Sequence, residues 1–482
     1  MVFNSIPFVL FFVAVFFIYW FALKKTTKGQ NLFLLLASWF FYGYADWRML
    51  PLLVLATVVF FFLGRRIAVA KTERQSYWWS FLGVSIGVGA LLYFKYFNFF
   101  IESFALLVTK CGLHANIHSF NILMPLGISF FTFRLISYVI DIRRGVTEPT
   151  SDFVAFATYI SFFPCILSGP IDRPRFIKQL QDQRSFDYDK AIDGGRQILW
   201  GLFKKAVVAD NCATYVDQVW SSLGIQSGST LLLAAVFYVF QIYADFSGYS
   251  DMAIGIGKLL GFRVMDNFKY PLFALNIADY WRRWHISLTQ WLTDYVFMPL
   301  NVKFRAWGKS GMIVAILITF ILIGLWHGDN WTFACFGLYH GLLYIPLILS
   351  GKFYKKTKLQ VNCFGFPTLN DFGRMVLTFV LVTIGLILFR AESLLQAKDF
   401  LCGILAKSLF TVPWLINRIY YIPQLLFIAT MLFFEWIHRK EEHGLTLSLV
   451  RSKVLRYGIY AFLMMMIIWV GGKAETFIYF QF

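Results

Sequence analysis

Charged residues are scarce in this chain. Only 15% of its 482 residues are Asp, Glu, Lys or Arg, whereas about 25% is usual in soluble domains. The sequence also has no low-complexity segment, no evident internal repeat and no Pro/Gly-rich linker. These absences argue against an ordinary soluble protein, a repeat array and a string of flexibly linked modules. We therefore expect a single domain over residues 1–482.

Cysteine is also sparse, and it is not clustered. The six cysteines include no CxxC pair, which argues against a disulfide framework and against a zinc ribbon. One spacing is compatible with a metal site, because Cys111, His114 and His118 form C-x2-H-x3-H. No fourth ligand is evident. We predict a solvated loop at this position and no metal site.

Hydrophobic residues make up 59% of the chain, and the mean hydropathy is +0.63. The apolar runs are long and continuous, without the period-two alternation of a membrane β-barrel. We therefore predict an all-α polytopic integral membrane protein with about 11–13 membrane helices. The first run, residues 6–23, is expected to be a retained membrane helix, because no positive segment precedes it. The further candidate spans include residues 77–97, 120–140, 153–169, 229–247, 311–327, 331–350, 373–390, 416–437 and 456–472.

Lys and Arg exceed Asp and Glu by 44 to 26, which gives a net charge of +18. In a membrane protein this excess indicates cytoplasmic loops that face anionic lipid, and it does not indicate nucleic-acid binding. Basic residues follow the first and third apolar runs, at Lys24–Lys28 and Arg65–Arg74, while the loop near Asp46 is nearly neutral. This alternation predicts a protein of the cytoplasmic (inner) membrane with its N-terminus outside.

His327 is the first candidate catalytic residue. It closes the apolar run GMIVAILITFILIGLW, and a polar group at the end of a membrane helix needs a partner or a cavity. Imidazole is also the side chain best suited to move a proton near neutral pH. His340 lies 13 positions later, about 220° away around an ideal helix. We therefore expect His340 to lie apart from His327 and to have a structural role.

Residues 262–300 form an unusual segment between apolar runs. The segment is too polar to span a membrane and too rich in Trp and Tyr for an ordinary solvated loop. Its titratable residues are Arg263, Asp266, Lys269, Asp279, Arg282, Arg283, His285 and Asp294, together with tyrosines. Two interpretations remain open: an amphipathic helix at the membrane interface, or a segment that folds back into the protein and lines a water-filled cavity.

Several motifs resemble those of one known family. They are YADFSGYSDMAIGIGKLLGF (243–262), NFKYP (267–271), YWRRWHISLTQWL (280–292) and LIGLWHGDNWTF (322–333). Together they resemble the membrane-bound O-acyltransferase family, and within it the bacterial branch that acylates alginate, peptidoglycan and teichoic acid. The resemblance covers roughly residues 120–400, which is more specific than any single short motif.

The resemblance implies a helical bundle around a central tunnel. A thioester donor would enter from the cytoplasm, as acetyl-CoA, another acyl-CoA or the phosphopantetheine thioester of an acyl carrier protein. The acceptor would be an extracytoplasmic polysaccharide hydroxyl, reached directly or through an SGNH-type transferase. No bound cofactor is implied. The family's catalytic histidine corresponds to His327, and its second motif position to His285.

Acyl transfer to an alcohol needs a base for the hydroxyl proton and a donor for the developing oxyanion. His327 is the candidate base. His285, Asn276 and the indole of Trp326 are candidates to hold the carbonyl, and Asp329 is a candidate to orient an imidazole. The motifs supply the remaining candidate substrate-binding residues, Trp281, Trp284, Asp245 and Ser247.

Three alternatives remain open. The acyl group could be D-alanyl, passed from a carrier protein to teichoic acid. A covalent acyl-enzyme could form on Cys165 or Cys335, although neither has a flanking signature of a reactive thiol, so we favour direct transfer. The chain could also be a non-catalytic conduit or a scaffold for an outer transferase, and either of these would not require a base at position 327.

Overall fold

A computed structural model describes residues 1–112, 122–413, 421–472 and 476–478. Within these ranges the chain is built from helices joined by turns, and its one β feature is an isolated bridge between Val361 and Pro367. The chain forms two compact units, Met1–Gly195 with Ala253–Met265, and Arg196–Met252 with Asp266–Phe482. The expectation of a single domain over 1–482 stays a prediction, and each unit is described by itself.

The first unit contains eight complete helices. They are α1 (Ile6–Phe17), α2 (Thr27–Asp46), α3 (Leu50–Ala68), α4 (Glu73–Leu91), α5 (Phe97–Lys110), α6 (Ile128–Arg143), α7 (Phe153–Ser161) and α8 (Phe176–Gln181). Two longer helices contribute residues to both units, α9 (Tyr188–Phe203) and α11 (Gly228–Leu259), and α10 (Asp210–Trp220) lies in the second.

The remaining helices all belong to the second unit. They are α12 (Ile277–Trp281), α13 (Ile286–Leu292), α14 (Met298–Lys303), α15 (Gly308–His327), α16 (Trp331–Leu342), α17 (Ile345–Leu349), α18 (Leu369–Arg390), α19 (Leu394–Ile404), α20 (Tyr421–Ile437) and α21 (Lys453–Val470). His285, His327 and His340, which are discussed below, all lie in this unit.

Seven helical runs in the described residues are long and apolar enough to cross a membrane. They are Thr27–Ala68, Glu73–Lys110, Gly228–Leu259, Arg305–His327, Trp331–Leu349, Leu369–Arg390 and Lys453–Val470. The first of these joins α2 and α3 through a single 3-10 turn, and two shorter apolar helices, Ile6–Ala22 and Tyr421–Ile437, add to the set. The chain is therefore an all-α polytopic membrane protein, as its composition predicted.

The predicted span at residues 153–169 is wrong. Helix α7 ends at Ser161, and the chain then turns repeatedly. The buried guanidinium of Arg134 explains how this irregular backbone is stabilised, since it donates to the carbonyl oxygens of Ile160 and Cys165 at 3.1 Å and of Pro170 at 3.2 Å. Non-helical backbone can lie among apolar helices only where its polar groups are satisfied in this way.

Helices α15 and α16 form a tight hairpin that positions the histidines. Glycines make the approach possible, because a Cβ at Gly324 would collide with the carbonyl oxygen of Phe333, and a Cβ at Gly337 with that of Phe320. Small residues allow the backbones of neighbouring membrane helices to touch. Any larger side chain at these two positions would force the hairpin apart.

Candidate functional site

His327 is the last residue of α15. The helix stops there because Gly328 is fully extended, and α16 begins after Asn330, whose Oδ1 accepts from the amide of Thr332 at 3.0 Å. The side chain of His327 is buried, with a relative exposure of 3%. Its ring centre lies 5.0 Å from that of Phe389. The predicted position of His327, at the end of a membrane helix, agrees with the structure.

A small cavity adjoins His327. Its volume is about 10 Å³, roughly the space of one water molecule. His340 lines the same cavity, so the expectation that it lies apart from His327 is wrong. That expectation assumed one continuous helix, whereas the two histidines stand on opposite arms of the α15–α16 hairpin. The Trp281 indole donates to Nδ1 of His340 at 3.3 Å, which leaves the proton of a neutral His340 on Nε2.

His285 lies in an unusual backbone conformation. Its φ of 43° and ψ of 53° are left-handed, which is uncommon for a residue other than glycine and is often found at functional sites. Its Nδ1 lies 2.9 Å from Oδ1 of Asn267, an oxygen that also accepts from the hydroxyl of Ser287 at 2.9 Å. An amide oxygen only accepts, so Nδ1 of His285 donates and Nε2 is left as an acceptor.

Burial determines the charge of His285. The residue is fully buried, and this lowers the pKa of its imidazole to about 3. It is therefore neutral at physiological pH. A neutral imidazole with an acceptor Nε2 is suited to orienting a hydroxyl, and in this form it does not donate to an oxyanion.

Trp326 lies between the two motif histidines. Its ring centre is 4.9 Å from that of His327 and 5.6 Å from that of His285, and the ring is buried. His285 does not line the small cavity itself. The two histidines are thus brought into one cluster through an aromatic neighbour.

The segment 262–300 folds back into the protein. Trp281, Trp284 and His285 are all less than 5% exposed, and Tyr280, Trp281 and Trp284 line the small cavity beside His327. Of the two open interpretations, the structure therefore favours the cavity-lining segment over the interfacial helix. Trp281 and Trp284 line the small cavity, and their predicted contact with substrate stays a prediction.

A second cavity, of about 770 Å³, is basic. Its charged lining comprises Lys352, Lys355, Lys356, Lys358 and Arg374, with Asp371 as the single acid among the described lining residues. Asn276 also lines this cavity. The Asn276 side chain donates to Oγ1 of Thr357 at 3.0 Å and caps α12 through Oδ1. Asn276 therefore belongs to the basic cavity, away from the small cavity of His327.

A third cavity, of about 430 Å³, lies beyond His327. It is lined by Asp217, Gln241, Asp329, Arg390 and Glu392, together with apolar residues. Asp329 and Glu392 are exposed, so this cavity opens to solvent at their carboxylates. Asp329, which was predicted as a candidate to orient an imidazole, is placed at this opening.

The three cavities follow one another along helix α18. The basic cavity contacts residues 370–381 of this helix, the small cavity residues 382–389, and the third cavity residues 389–390 and the two residues that follow the helix. Helix α16 gives the reverse order, from Phe333 in the third cavity through Phe336 and His340 to the basic cavity at residue 343, just after the helix ends. The small cavity with His327 is therefore the middle of a line, and Phe389 is shared by the last two.

Asp245 and Ser247, predicted as substrate-binding, do not line any of these three cavities. They hold buried lysines instead. Lys204 donates to Oγ of Ser247 at 2.9 Å, and Lys205 lies between Asp245 at 2.6 Å and Asp210 at 2.9 Å. Burial alone would lower the pKa of Lys205, but the two carboxylates outweigh it and the pKa is raised. This placement indicates a structural ion pair.

The rival nucleophiles and the candidate metal ligands lie elsewhere. Cys165 is fully buried, Cys335 is partly exposed, and neither lines the three cavities. His114 and His118 lie outside the described residues, so the predicted absence of a metal site there stays a prediction. The pattern of C-x2-H-x3-H carries no structural argument in either direction.

Sequence reasoning missed three features of the site. They are the lysines of the basic cavity, Gln241 of the third cavity, and Phe389, which lines both the small cavity and the third cavity. Gln241 had a usable signal, since it interrupts the apolar run LLLAAVFYVF, and polar residues inside membrane helices are costly. The lysines had a signal as well, since Lys352, Lys355, Lys356 and Lys358 are clustered in the sequence, but such a cluster is equally typical of a cytoplasmic loop. Phe389 had none, because it is one of many phenylalanines in an apolar helix.

Comparisons with known proteins agree with the motifs. The model of the membrane-bound O-acyltransferase family matches residues 39–377. The chain is 37% identical over 401 residues to a protein of Pseudomonas aeruginosa named probable alginate O-acetylase AlgI, which covers 82% of this chain and 73% of that one. It is 32% identical over 440 residues to the peptidoglycan O-acetyltransferase of Helicobacter pylori, covering 85% and 80%. The teichoic acid D-alanyltransferase of Bacillus subtilis is 32% identical over 248 residues, covering 49% and 62%.

Proposed function

Because this chain belongs to the membrane-bound O-acyltransferase family, we propose that it transfers a small acyl group from a cytoplasmic thioester to a hydroxyl on the other side of the membrane. The observation that carries this proposal is the order of the three cavities along α18, with His327 in the middle. One end can receive a donor and the other an acceptor, and their reacting groups would meet at the histidine.

The basic cavity is the proposed donor site. Coenzyme A and phosphopantetheine both carry phosphates, and five cationic side chains against one carboxylate favour such a ligand. The loop that carries the lysines, residues 350–368, would be cytoplasmic by the rule that basic loops stay inside. This orientation would place α18 with its N-terminus inside and its C-terminal cavity outside.

His327 is the proposed general base. The acceptor oxygen attacks the thioester carbonyl as its proton passes to His327, and the C–S bond breaks when the tetrahedral intermediate collapses. His327 then returns the proton to the leaving thiolate, so the products are an ester and a free thiol. We propose that the Nε2–H of His340 donates a hydrogen bond to the carbonyl oxygen, because His340 lines the same cavity as His327.

His285 is proposed as a positioning residue. Its fixed tautomer, its left-handed backbone and its pKa of about 3 support orientation through Nε2 and not proton transfer. Trp326 would couple the orientation of the His285 ring to that of the His327 ring, since its own ring contacts both imidazoles. The small cavity of about 10 Å³ is too narrow for an acyl thioester, so side chains must move when the donor binds.

An acetyl group is the proposed cargo, and a cell-envelope polymer is the proposed final acceptor. Two of the relatives named above carry O-acetyl transfer in their names and match more than four fifths of this chain, whereas the D-alanyl relative matches about half of it. Transfer to the polymer would occur directly or through an SGNH-type partner. D-alanyl transfer remains the second candidate for the cargo, supported by the same family and the same three cavities.

The test is thiol release by purified protein in vesicles, with acetyl-CoA or a D-alanyl carrier protein supplied on the side of the basic loop. We expect His327→Ala and His327→Gln to lose ~100-fold to 10,000-fold in rate, because neither side chain can accept the proton. His438→Gln is the matched control, since His438 is equally buried, lies just after α20, and contacts the Phe434 carbonyl oxygen of that helix through Nδ1 at 3.0 Å.

The same assay separates the roles of the two motif histidines. His285→Asn should retain more activity than His285→Ala, since an amide can replace a polar contact, while His327→Asn should be as inactive as His327→Ala. Near-normal thiol release and acylation by His327→Ala would refute the catalytic assignment and favour a conduit or scaffold. Activity in Cys165→Ala and Cys335→Ala supports direct transfer.

A further inference from the structure

The third cavity has a charge that bears on what enters it. Three of its described lining residues are acids, Asp217, Asp329 and Glu392, and the one cation among them is Arg390. That cation is already paired, because its Nη2 lies 2.9 Å from Oδ1 of Asp217. Asp329 and Glu392 remain at the exposed opening. An incoming group therefore meets two carboxylates on its way to His327.

Gln241 gives a second and independent indication of a ligand. It lies on α11, is 93% buried by its relative exposure of 7%, and lines this cavity. Its Oε1 is buried and accepts no hydrogen bond from any of the described residues. An unsatisfied buried amide oxygen is costly, and a donor supplied by a bound molecule removes that cost. A hydroxyl group is such a donor.

The remaining lining suits a sugar unit. Tyr238, Phe333 and Phe389 provide aromatic walls, and Asn330 adds a further amide at the opening. The volume of about 430 Å³ is in the range of small-molecule sites. Carboxylates accept readily from uncharged hydroxyls, whereas they repel other carboxylates.

We propose that the immediate acceptor is a neutral sugar hydroxyl that donates to Oε1 of Gln241, and that Asp329 and Glu392 exclude polyanionic glycans from direct attack. This inference rests on the proposed function. A polyuronate could then be acylated only after an intermediate carrier has accepted the group, because its own carboxylates would face those of the opening.

The experiment compares two acceptors of equal length in the reconstituted full chain with acetyl-CoA. One is a tetramer of N-acetylglucosamine, which is neutral, and the other is a tetramer of mannuronate, which carries four carboxylates. We expect the neutral tetramer to be acetylated at least ~10-fold faster at low salt, with the difference shrinking as salt screens the opening. The double variant Asp329→Asn/Glu392→Gln should reduce the preference to within ~3-fold.

Gln241 is tested by a split between binding and turnover. Gln241→Leu should raise the KM for the neutral tetramer ~5-fold to 10-fold while the kcat with that tetramer changes less than ~2-fold. Gln424→Leu is the matched control, because Gln424 is also buried, also has an Oε1 that accepts from no described residue, and does not line the three cavities. If Gln241 had only a structural role, Gln241→Leu would instead lower the kcat for the tetramer and the rate of acceptor-free hydrolysis of acetyl-CoA together.

Three results would overturn the inference. They are equal or faster acetylation of the mannuronate tetramer, acetylation of neither tetramer by protein that still hydrolyses acetyl-CoA, and an unchanged KM in Gln241→Leu. All three leave the proposed acyl transfer standing. Failure of the proposed function would look different, as the absence of any thiol release that depends on His327.

Discussion

The two large cavities on either side of His327 are opposite in charge. The basic cavity has five cationic side chains against one acid, and the third cavity has three acids against one paired arginine. The difference suggests how one protein can give an acyl group a direction. A phosphate-bearing donor is attracted to the basic side, repelled by the acidic side, and is therefore kept from crossing with its acyl group.

The charge difference also acts on the products. After transfer, the free thiol keeps its phosphates and remains attracted to the basic cavity, while the neutral ester stays on the acidic side. Neither product gains by moving back through the middle, which has space for about one water molecule. On this proposal the charges set direction, and the histidine cluster performs the reaction.

The comparison requires the two cavities to face opposite sides of the membrane, and thiol labelling in intact cells gives the largest expected effect. Cys363 is exposed in the loop 350–368 that carries the lysines, and Glu392 is exposed at the third cavity. With the other exposed or half-exposed cysteines replaced by serine, native Cys363 should resist an impermeant maleimide. Glu392→Cys in a Cys363→Ser background should react fully.

Internal controls for this labelling are present in the chain. Cys165 and Cys212 are fully buried and should stay unreactive until the protein is denatured. Permeabilised cells should label Cys363 as well as position 392. Labelling of Cys363 in intact cells would reverse the orientation and with it the assignment of donor and acceptor sides.

The sequence predicted the elements of the site better than their surroundings. The end of α15 at His327 follows from a long apolar run that stops at Gly-Asp-Asn, residues that favour turns and caps. The position of His340 was wrong because a hairpin held together by Gly324 and Gly337 brings it back beside His327. Such a return depends on packing between helices, which one residue's neighbours in the chain do not specify.

Burial of the polar segment was the main uncertainty at the sequence level. An interfacial helix and a cavity-lining segment need the same mixture of Trp, Arg and Asp, so composition could not separate them. In the structure, the burial of Trp281, Trp284 and His285 and the position of the two tryptophans in the lining of the small cavity decide between them. Asp245 is a different case: substrate binding by this carboxylate stays a prediction, and in the structure it pairs with Lys205.

The next largest effect should come from reversing the charge of the basic cavity. Lys355→Glu/Lys356→Glu replaces two cationic lining residues with acids. Exposed ion pairs contribute about 0.2–1 kcal/mol each, so losing two of them and adding two repelling acids should raise the KM for acetyl-CoA ~10-fold. The kcat should change little, because these residues are remote from the reacting carbonyl. Initial rates over a range of donor concentrations give both constants.

Lys303→Glu is the control for this charge reversal. Lys303 is exposed at the end of α14 and does not line the basic cavity. It changes the net charge of the protein in the same direction per residue. If Lys303→Glu raised the KM for acetyl-CoA as much as Lys355→Glu or Lys356→Glu alone, net charge alone would attract the donor. The proposed donor site would then lose its support.

The smallest effect concerns the boundary between the small cavity and the third cavity. Phe389 lines both of them. Its ring packs 5.1 Å from Phe333 and 5.2 Å from Phe336, centre to centre. Phe389→Leu should open this boundary to water and raise acceptor-independent hydrolysis of acetyl-CoA ~3-fold to 10-fold, because closed sites protect reactive acyl groups. Phe379→Leu, on the same helix but outside the three cavities, controls for lost packing. Equal hydrolysis in both variants, with acceptor turnover reduced alike, would mean that Phe389 only packs and that the separation of the two sides lies elsewhere.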